Sequence, residues 1–509
     1  MHPPFSARFQ CRVWFATIAL LVSAFSLANS VVGEEVTIKP RAAKSVADSG
    51  KVLAVATHHQ AGTIQVNAAD RPQVKLACFC LTADDKILAG CAGTKGEIRV
   101  IDAEGKVTES WPIPVNPEAI FCRPDGAIFV AGDGQVLKLS STGKVELSKQ
   151  APQAAALNEH PEKLREEVIA QVKEQAEQFG KQAEIYDKMI AQADKQIDSI
   201  NEHLAAAEES STASAVDSGK STEKQAVAPR RATMNKQSLE RRLAMFKNQK
   251  EQYAEAKNQF AEIIGASTTG ELTDAQIDEK VRASMEYKRK ASSISAFDGE
   301  VFLATHAAAG YGFEVWRMDD SFENVVKVVK DLSGCCGQMD VKVSKDGLFI
   351  AENSKHRVCH YDRDGKMIGA WGESARTGLD GFGSCCNPMN VAFGPSDAVY
   401  TAEDDTGRIK RYSADGKLLG LVGLVELKPG CKNCSIAVSN DGSHVYMLDI
   451  TRNFIVRLDA RPADEVNSEI EKMKNAPAGS KVGAIAPTQP ASGGSLVIDG
   501  LRALFTSEK

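Results

Sequence analysis

Pairs of adjacent cysteines occur twice in the second half of the chain, and they are the residues best suited to chemistry. Cys335 and Cys336 lie in the segment Ser333-Gly-Cys-Cys-Gly-Gln-Met339, and Cys385 and Cys386 lie in Ser384-Cys-Cys-Asn-Pro-Met389. A third segment, Cys431-Lys-Asn-Cys434, opens the next unit. Each segment runs directly into an apolar stretch. Because cysteine sulfur forms disulfides and binds soft metals, the pattern predicts one of these two roles, and unpaired buried thiols are the third interpretation.

Alignment of the three units on their apolar stretches places the sulfur atoms in two columns. Cys336, Cys386 and Cys431 occupy the first column, and Met339, Met389 and Cys434 lie three residues further on. Strands that start at the same depth around a common axis would bring these sulfurs to one mouth of a central channel. The candidate metal ligands are therefore Cys335, Cys336, Cys385, Cys386, Cys431 and Cys434, with Met339 and Met389 as weaker candidates.

Disulfide bonds are the favoured interpretation of the cysteine pairs, and a soft-metal site with copper, zinc or an iron–sulfur centre is the alternative. A c-type haem is excluded, because its attachment needs C-x-x-C-H and Ser435 follows Cys434. The chain has no H-E-x-x-H and no G-x-S-x-G motif. We therefore predict no catalytic residue and favour a binding protein over an enzyme.

The composition is that of a soluble protein, with 43% hydrophobic and 25% charged residues in a chain of 509. A net charge of −6 and the lack of a basic cluster interleaved with aromatics argue against nucleic-acid binding. Arg8 and Arg12 precede an apolar run that ends in small residues, which is typical of a cleavable signal peptide over residues 1–30. The run is shorter than the roughly 20 residues of a stable membrane span. We expect export to the periplasm or the cell exterior.

Short apolar runs separated by turn dipeptides recur in units of 40 to 50 residues. Asp-Gly pairs such as Asp125-Gly126 and Asp415-Gly416 supply the positive φ that tight hairpins need. A period of this length with four short strands per unit predicts a β-propeller. Equivalent positions fall near residues 78, 119, 292, 340, 390 and 435, which gives six blades. The runs at 52–56 and 63–66 are expected to supply a strand that closes the last blade.

One interval is far longer than the others, because residues 158–290 carry a helical pattern. Apolar residues recur every seven positions from Val172 to Ile200 and again from Leu239 to Phe260. These heptads predict an antiparallel helical hairpin of coiled-coil type. It is either a self-packed spacer or an arm for partner contact or self-association. The predicted organisation is a signal peptide at 1–30, a flexible lead-in at 31–50, blades one and two at 51–157, the hairpin at 158–290, blades three to six at 291–461, and a linker and tail at 462–509.

Blades four and five resemble the NHL repeat. The segments that carry the resemblance are Asn387-Pro-Met-Asn-Val-Ala-Phe393, Ala398-Val-Tyr-Thr-Ala-Glu403 and Gly407-Arg-Ile-Lys-Arg-Tyr412. The resemblance implies a mainly β, six-bladed NHL-type propeller that binds a protein or small molecule at one face. It implies no single activity, because NHL propellers serve several functions. The sequence thus predicts an exported, non-catalytic binding scaffold, with a metal-binding or redox protein as the alternative.

The chain departs from the NHL pattern where cysteines precede the innermost strands. Glu352 and Glu403 stand where the family has aspartate after the second strand of a blade. We expect each to bond a backbone turn, or to pair with Arg357 and Arg408 respectively, and not to act as an acid or base.

Overall fold

The computed structural model describes residues 55–67, 73–213, 227–264, 273–375, 379, 381–383, 386–404, 406–427 and 434–475. The predicted signal peptide and lead-in, residues 476–509 of the predicted linker and tail, Cys385 and Cys431 all lie outside these residues. The chain divides into two compact units, one helical and built from residues 161–284, the other from the described residues before and after that segment. No helix within these ranges combines the length and apolar character needed to cross a membrane.

The larger unit is mainly β and, in the described chain, contains six four-stranded antiparallel sheets. We number these blades one to six. The strands of each blade are given from its inner to its outer edge. Blade one contains β2 (Lys75–Leu81), β3 (Ile87–Ala92), β4 (Gly96–Ile101) and β5 (Val107–Ile113), and blade two contains β6 (Ala119–Cys122), β7 (Ile128–Gly132), β8 (Gln135–Leu139) and β9 (Val145–Gln150). Blade three contains β10 (Ala291–Phe297), β11 (Glu300–His306), β12 (Phe313–Asp319) and β13 (Val326–Leu332), and blade four contains β14 (Asp340–Ser344), β15 (Gly347–Glu352), β16 (Arg357–Tyr361) and β17 (Met367–Trp371). Blade five contains β18 (Asn390–Gly394), β19 (Ala398–Ala402), β20 (Arg408–Tyr412) and β21 (Leu418–Leu424), and blade six contains β22 (Ile436–Val438), β23 (His444–Asp449), β24 (Phe454–Ala460) and β1 (His58–Gln65).

The innermost strands contact one another in the cyclic order β2, β6, β10, β14, β18, β22 and back to β2. This closed ring of six sheets is the arrangement of a β-propeller. The first strand of the chain pairs antiparallel with the last, from His58 opposite Ala460 to Gln65 opposite Phe454. The prediction that an N-terminal strand completes the last blade is therefore confirmed.

Tight turns connect the strands as the turn dipeptides predict. Gly126 and Gly416 both adopt φ of +88°, a region that glycine enters without steric cost. Gly365, in the last hairpin of blade four, has φ of +85°, and a Cβ placed there would lie 1.8 Å from the carbonyl oxygen of Val328 in blade three. The turn can therefore approach the neighbouring blade only because it carries glycine.

Side chains at the entrances of the inner strands bond the backbone of the following blade. Each accepts a hydrogen bond from an amide of the next inner strand or its approach. The pairs are Glu118 with Ala291, Ser292 with Met339, Asp340 with Val391, and Asn390 with Ile436. Between blades six and one the acceptor is instead Asn453, in the turn before β24, which accepts from the Leu76 amide. These bonds fix the depth at which the inner strands begin. The loops that precede the strands are held at one face of the ring as a result.

Five helices lie among the described residues, namely α1 (Pro152–Glu159), α2 (Pro161–Ala213), α3 (Val227–Ile264), α4 (Asp274–Lys288) and α5 (Ala463–Asn475). Helix α4 begins with a capping box, in which the Gln276 amide donates to Thr273 Oγ1 and the Thr273 amide donates to Gln276 Oε1.

Helices α2 and α3 run antiparallel, as two ion pairs show. Lys250 meets Asp194, and Lys257, further along α3, meets Asp187, which comes earlier on α2; both pairs are 2.6 Å apart. Tyr186, Ala193 and Ile200, spaced by seven residues, are buried. The helical insertion is therefore present, and its supercoiling as a coiled coil stays a prediction.

Candidate metal centre

The loop that leads into blade four turns sharply at its two cysteines. The Gln338 amide donates to the carbonyl oxygen of Cys335, and the two residues between them have positive φ, +56° for Cys336 and +71° for Gly337. Positive φ at both central positions is the feature of a type I′ turn. Glycine adopts this conformation freely, whereas a cysteine with a Cβ pays about 1 kcal/mol for it. Cys336 is thus held in a strained conformation at the apex of the turn.

Two residues at the end of β15 hold this loop in place. The Asn353 side chain is fully buried, accepts from the Cys335 amide at 2.7 Å, and donates to the carbonyl oxygens of Cys335 and Gln338. Glu352 accepts from the Ser333 amide at 3.0 Å and forms ion pairs with Lys355 and Arg357. Burial alone would raise the pKa of Glu352, but these donors outweigh it and the pKa is lowered. The carboxylate is therefore charged.

The loop into blade five is anchored in the same way from the end of β19. Glu403 is buried, accepts from the Gly383 amide at 2.9 Å, and pairs with Arg408 at 2.6 Å and Lys410 at 3.1 Å. The Asn387 side chain donates to the Gly383 carbonyl and accepts from the Asp404 amide. The expected structural roles of Glu352 and Glu403 are confirmed, since each bonds a backbone turn and pairs with its arginine.

These two anchored loops bring three cysteine sulfurs together. The Sγ atom of Cys386 lies 2.9 Å from that of Cys335 and 3.1 Å from that of Cys336, and the Cys335 and Cys336 sulfurs are 3.6 Å apart. All three lie within 4.8 Å of one another. A disulfide needs about 2.0 Å, so these three are not bonded to one another. The predicted convergence of Cys336 and Cys386 is what the structure shows, with Cys335 added; Cys431, the third member of that column, is among the residues not described.

Cys434, at the entrance of blade six, belongs to the same apolar cluster as Cys386 and Met389, against which Cys335 and Cys336 pack. Its backbone is clamped by the Gln338 side chain, which donates to the Cys434 carbonyl and accepts from the Cys434 amide. Burial raises the pKa of the Cys434 thiol well above its ordinary value, and Asp404 and Asp340 add to the effect. Cys434 is therefore a neutral thiol that packs beside the three-sulfur cluster.

The two methionine candidates are fully buried but differ in their surroundings. Met389 lies in the cluster with Cys386, and its Sδ atom accepts a hydrogen bond from Asn353 at 3.4 Å. Met339 packs instead in the core between blades three and four, among residues such as Phe313 and Val341. Of the two methionines, only Met389 lies in the same apolar cluster as Cys386 and Cys434.

The remaining described cysteines lie away from this group. Cys359 is fully buried in the blade-four core, and Cys122 lies half-buried at the edge of the cluster between blades one and two. Burial raises the pKa of Cys359 and Cys91 to about 12 and that of Cys122 to about 11. Thiols with such values are protonated near neutral pH, so they are poor nucleophiles and poor metal ligands.

The arrangement can therefore do two kinds of chemistry, ligation of a soft metal and exchange between thiols and disulfides. In the described chain, Cys335, Cys336 and Cys386 form the only group of three or more cysteine, histidine or carboxylate side chains close enough to share an ion. The sequence did not identify the supporting residues Asn353, Gln338 and Asn387. Their signal is weak, since each is a single amide residue beside a cysteine segment or a conspicuous glutamate.

The chain resembles solved propeller-type structures at low identity. The match to virginiamycin B lyase from Staphylococcus aureus spans 79% of this chain and 99% of the lyase, at 8% sequence identity and a TM-score of 0.35. The match to the calcium-binding protein regucalcin from Agrobacterium tumefaciens spans 80% of this chain and 97% of regucalcin, at 12% sequence identity and a TM-score of 0.36. The match to the WD40 domain of Pan2 from Neurospora crassa spans 79% of this chain and 95% of that domain, at 9% sequence identity and a TM-score of 0.36.

These scores are too low to carry an argument about function, and the assignment of a propeller rests on the ring of six sheets. No protein-family model and no curated protein matches the chain. Membership of the NHL family therefore stays a prediction.

Proposed function

We propose that this protein is a propeller-type binding protein that holds a soft metal ion, Cu(I) in particular, between Cys335, Cys336 and Cys386. The single observation that supports it is the convergence of three sulfur atoms within 4.8 Å from two separate blades. Thiolates are soft ligands and prefer Cu(I), zinc or iron–sulfur clusters over hard cations such as magnesium and calcium. The residues that would hold the ion thus all lie in the loops before β14 and β18.

The surroundings favour ligation over a purely structural role for these thiols. Asn353 and Asn387 fix the two cysteine loops through buried hydrogen bonds, as supporting residues do in metal sites. Cys386 has no exposed surface, whereas Cys335 and Cys336 are partly exposed. An ion can therefore reach the cluster from solvent and be held against an apolar wall. Ligation would also offset the strain at Cys336.

The donor set argues for Cu(I) among the soft metals. Structural zinc sites are almost always four-coordinate, and iron–sulfur clusters are held by four protein ligands. The described cluster supplies three ligands, all of them sulfur. Cu(I) is the softest of the candidate ions and is selected by thiolate donors. The experiment below compares it with zinc directly.

The wider context is proposed on the strength of sequence patterns alone. The NHL-like blade segments support an NHL-type propeller, and the charged and apolar start of the chain supports export to the periplasm or cell exterior. We propose two kinds of partner. One is a protein or small molecule that binds at the propeller face, and the other is a second copy of this chain that associates through the coiled-coil heptads.

Competition for Cu(I) tests this function. The reduced full-length protein is titrated with the Cu(I) complex of bathocuproine disulfonate, and zinc is titrated in parallel with a chromophoric chelator. We expect the wild type to bind one Cu(I) per chain and to bind Cu(I) with higher affinity than zinc. Cys386→Ser should lose this binding, and Cys91→Ser, which removes a fully buried thiol from blade one, should retain it. Failure of the wild type to withdraw Cu(I), or equal binding by Cys386→Ser, would refute the proposal.

A further inference from the structure

The same three sulfurs have the layout of a thiol–disulfide exchange site, in which one thiol is accessible and a second, in contact with it, is buried. Cys336 is partly exposed at the apex of its turn. Cys386 has no exposed surface and its sulfur lies 3.1 Å from that of Cys336. An external disulfide can therefore reach Cys336 but cannot reach Cys386.

We propose that the metal-free protein reduces external disulfides, with Cys336 as the attacking thiol and Cys386 as the resolving thiol. The substrate class is an accessible disulfide, R–S–S–R. This activity requires only the reduced cluster and does not depend on a metal being bound.

The reaction balances in two displacement steps. The Cys336 thiolate attacks one sulfur of R–S–S–R, a bond forms between Cys336 and that sulfur, and the other half leaves as a thiolate. The Cys386 thiolate then attacks the Cys336 sulfur, and the second half leaves. Two protein thiols give up two protons and two electrons, and the external disulfide becomes two thiols. Attack by a thiolate through a mixed disulfide is the general route of such exchange.

The assignment of Cys336 over Cys335 rests on how each residue is held. The backbone of Cys335 is bonded on both sides by the buried Asn353 side chain, at its amide and at its carbonyl. Cys336 occupies the apex of the turn in a strained conformation, with Gly337 beside it. Closing the 3.1 Å gap to a bond of about 2.0 Å needs a movement near 1 Å, which a two-residue turn can supply more readily than the anchored Cys335.

A third sulfur makes the oxidised state exchangeable. The Cys335 sulfur lies 2.9 Å from that of Cys386. Once the Cys336–Cys386 disulfide forms, Cys335 can attack Cys386 and release the Cys336 thiol, with no net oxidation. Either disulfide removes two of the three thiolates that would bind a metal. Metal binding and disulfide exchange at this cluster therefore exclude one another.

The test uses reduced, metal-free, full-length protein and the aromatic disulfide 5,5′-dithiobis(2-nitrobenzoate). The wild type should release two aromatic thiolates in rapid succession and keep no adduct on Cys336. Cys386→Ser should release one and keep the mixed disulfide on Cys336, located by fragmentation mass spectrometry. Cys336→Ser, altered at a partly exposed turn, should slow the rapid release by at least about tenfold. Cys91→Ser, which removes a fully buried thiol from blade one, should behave as the wild type.

An adduct that persists on Cys336 in the wild type would overturn the proposal, as would wild-type release by Cys386→Ser or an adduct on Cys335 in that variant. The Cu(I) titration contains no disulfide, so the two ideas fail separately. Two-step release without Cu(I) binding would leave the exchange reaction standing and refute the metal site.

Discussion

The side-chain amide of Gln338 joins the entrances of blades four and six through two hydrogen bonds with the backbone of Cys434. Its Nε2 atom donates to the Cys434 carbonyl at 2.7 Å, and its Oε1 atom accepts from the Cys434 amide at 3.0 Å. Gln338 is 5% exposed, so neither bond is readily replaced by water. This clamp bypasses blade five in the ring and holds Cys434 beside the three-sulfur cluster.

Gln338→Glu tests the clamp, because glutamate keeps the acceptor for the Cys434 amide but turns the donor into an oxygen that faces the Cys434 carbonyl. We expect the free energy of unfolding at pH 8 to fall by about 2 kcal/mol, the cost of burying an unsatisfied carbonyl and a charge. Stability should recover in part near pH 4, where the carboxyl is protonated and donates again. Urea unfolding at both pH values measures this. Gln338→Leu loses both bonds at every pH and is the control; a Gln338→Glu protein as stable as the wild type at pH 8 would contradict the prediction.

Replacement of Cys336 should reveal the strain at the turn. Asparagine tolerates positive φ, whereas serine has the same steric restriction as cysteine. We therefore expect metal-free Cys336→Asn to be more stable than Cys336→Ser by about 0.5–1 kcal/mol. Both variants should lose Cu(I) binding. Equal stabilities in urea unfolding would show that the turn is not strained.

Loss of the Asn353 side chain should weaken the metal site without removing a ligand. Asn353→Ala leaves the Cys335 amide and the carbonyls of Cys335 and Gln338 without their partner. Removal of supporting residues around a metal lowers affinity by about 10–100-fold. The chelator competition assay measures this loss. Asn324→Ala, which removes an exposed amide bonded to Asp319 in blade three, is the matched control; equal Cu(I) affinities for the two variants would argue against the support role.

Glu118 should make stability depend on pH near neutrality. Burial raises its pKa from 4.5 to about 7, which outweighs the hydrogen bond from the Ala291 amide. Because the folded pKa is higher than the unfolded one, the carboxyl destabilises the fold fully above pH 7, and this cost declines as the pH falls from 7 towards 4.5. At about 1.4 kcal/mol per pKa unit, the cost above pH 7 is at most about 4 kcal/mol.

Glu118→Gln keeps an oxygen acceptor for Ala291 and removes the charge. We expect the variant to be more stable than the wild type at pH 8 and equally stable at pH 4, by urea unfolding at each pH. The comparison is made between the two proteins at one pH, because exposed carboxylates such as Asp441, whose pKa is lowered to about 2 by hydrogen bonds from Ser443, respond in the opposite direction. A constant difference between the proteins at both pH values would contradict the assignment to Glu118.

The propeller could be predicted because its signals are local and repeated. Turn dipeptides such as Asp125-Gly126 recur at the same place in successive units, and each unit forms its own sheet from consecutive strands. The closing strand was also predictable, since a β-like run before the first unit had no partner of its own. The alternation that defines a strand needs no information about distant residues.

The cysteine cluster was predicted in part, for a physical reason. Cys336 and Cys386 occupy equivalent positions before inner strands, so the symmetry of the ring brings them together. Cys335 was a candidate ligand but lay outside that column, because alignment on the inner strands places Cys336, not Cys335, opposite Cys386. The turn at Cys336 and Gly337 reverses the chain and brings both sulfurs to one side. Positive φ at a cysteine has no sequence signal.

The contacts of Gln338 with Cys434 and of Asn353 with Cys335 could not be predicted from the sequence. Each joins one side chain to a backbone group in another loop, and the partner is set by the packing of loops around the ring. Amide side chains accept and donate with equal ease, so their presence in a loop does not specify a partner.

The pairing of β1 with β24 has a consequence for how the protein is made. His58 and Ala460 are opposite one another in the last blade, although nearly the whole propeller and the helical insertion lie between them in the chain. During synthesis, the first strand must wait for the last one. Until then β1 has no partner strand, and the apolar face of blade one that packs against blade six has no cover. Folding with such distant contacts is slow and exposes unpaired edges to other chains. The ring therefore closes only after β24 has been made, and a nascent chain truncated before β24 lacks the partner for its first strand.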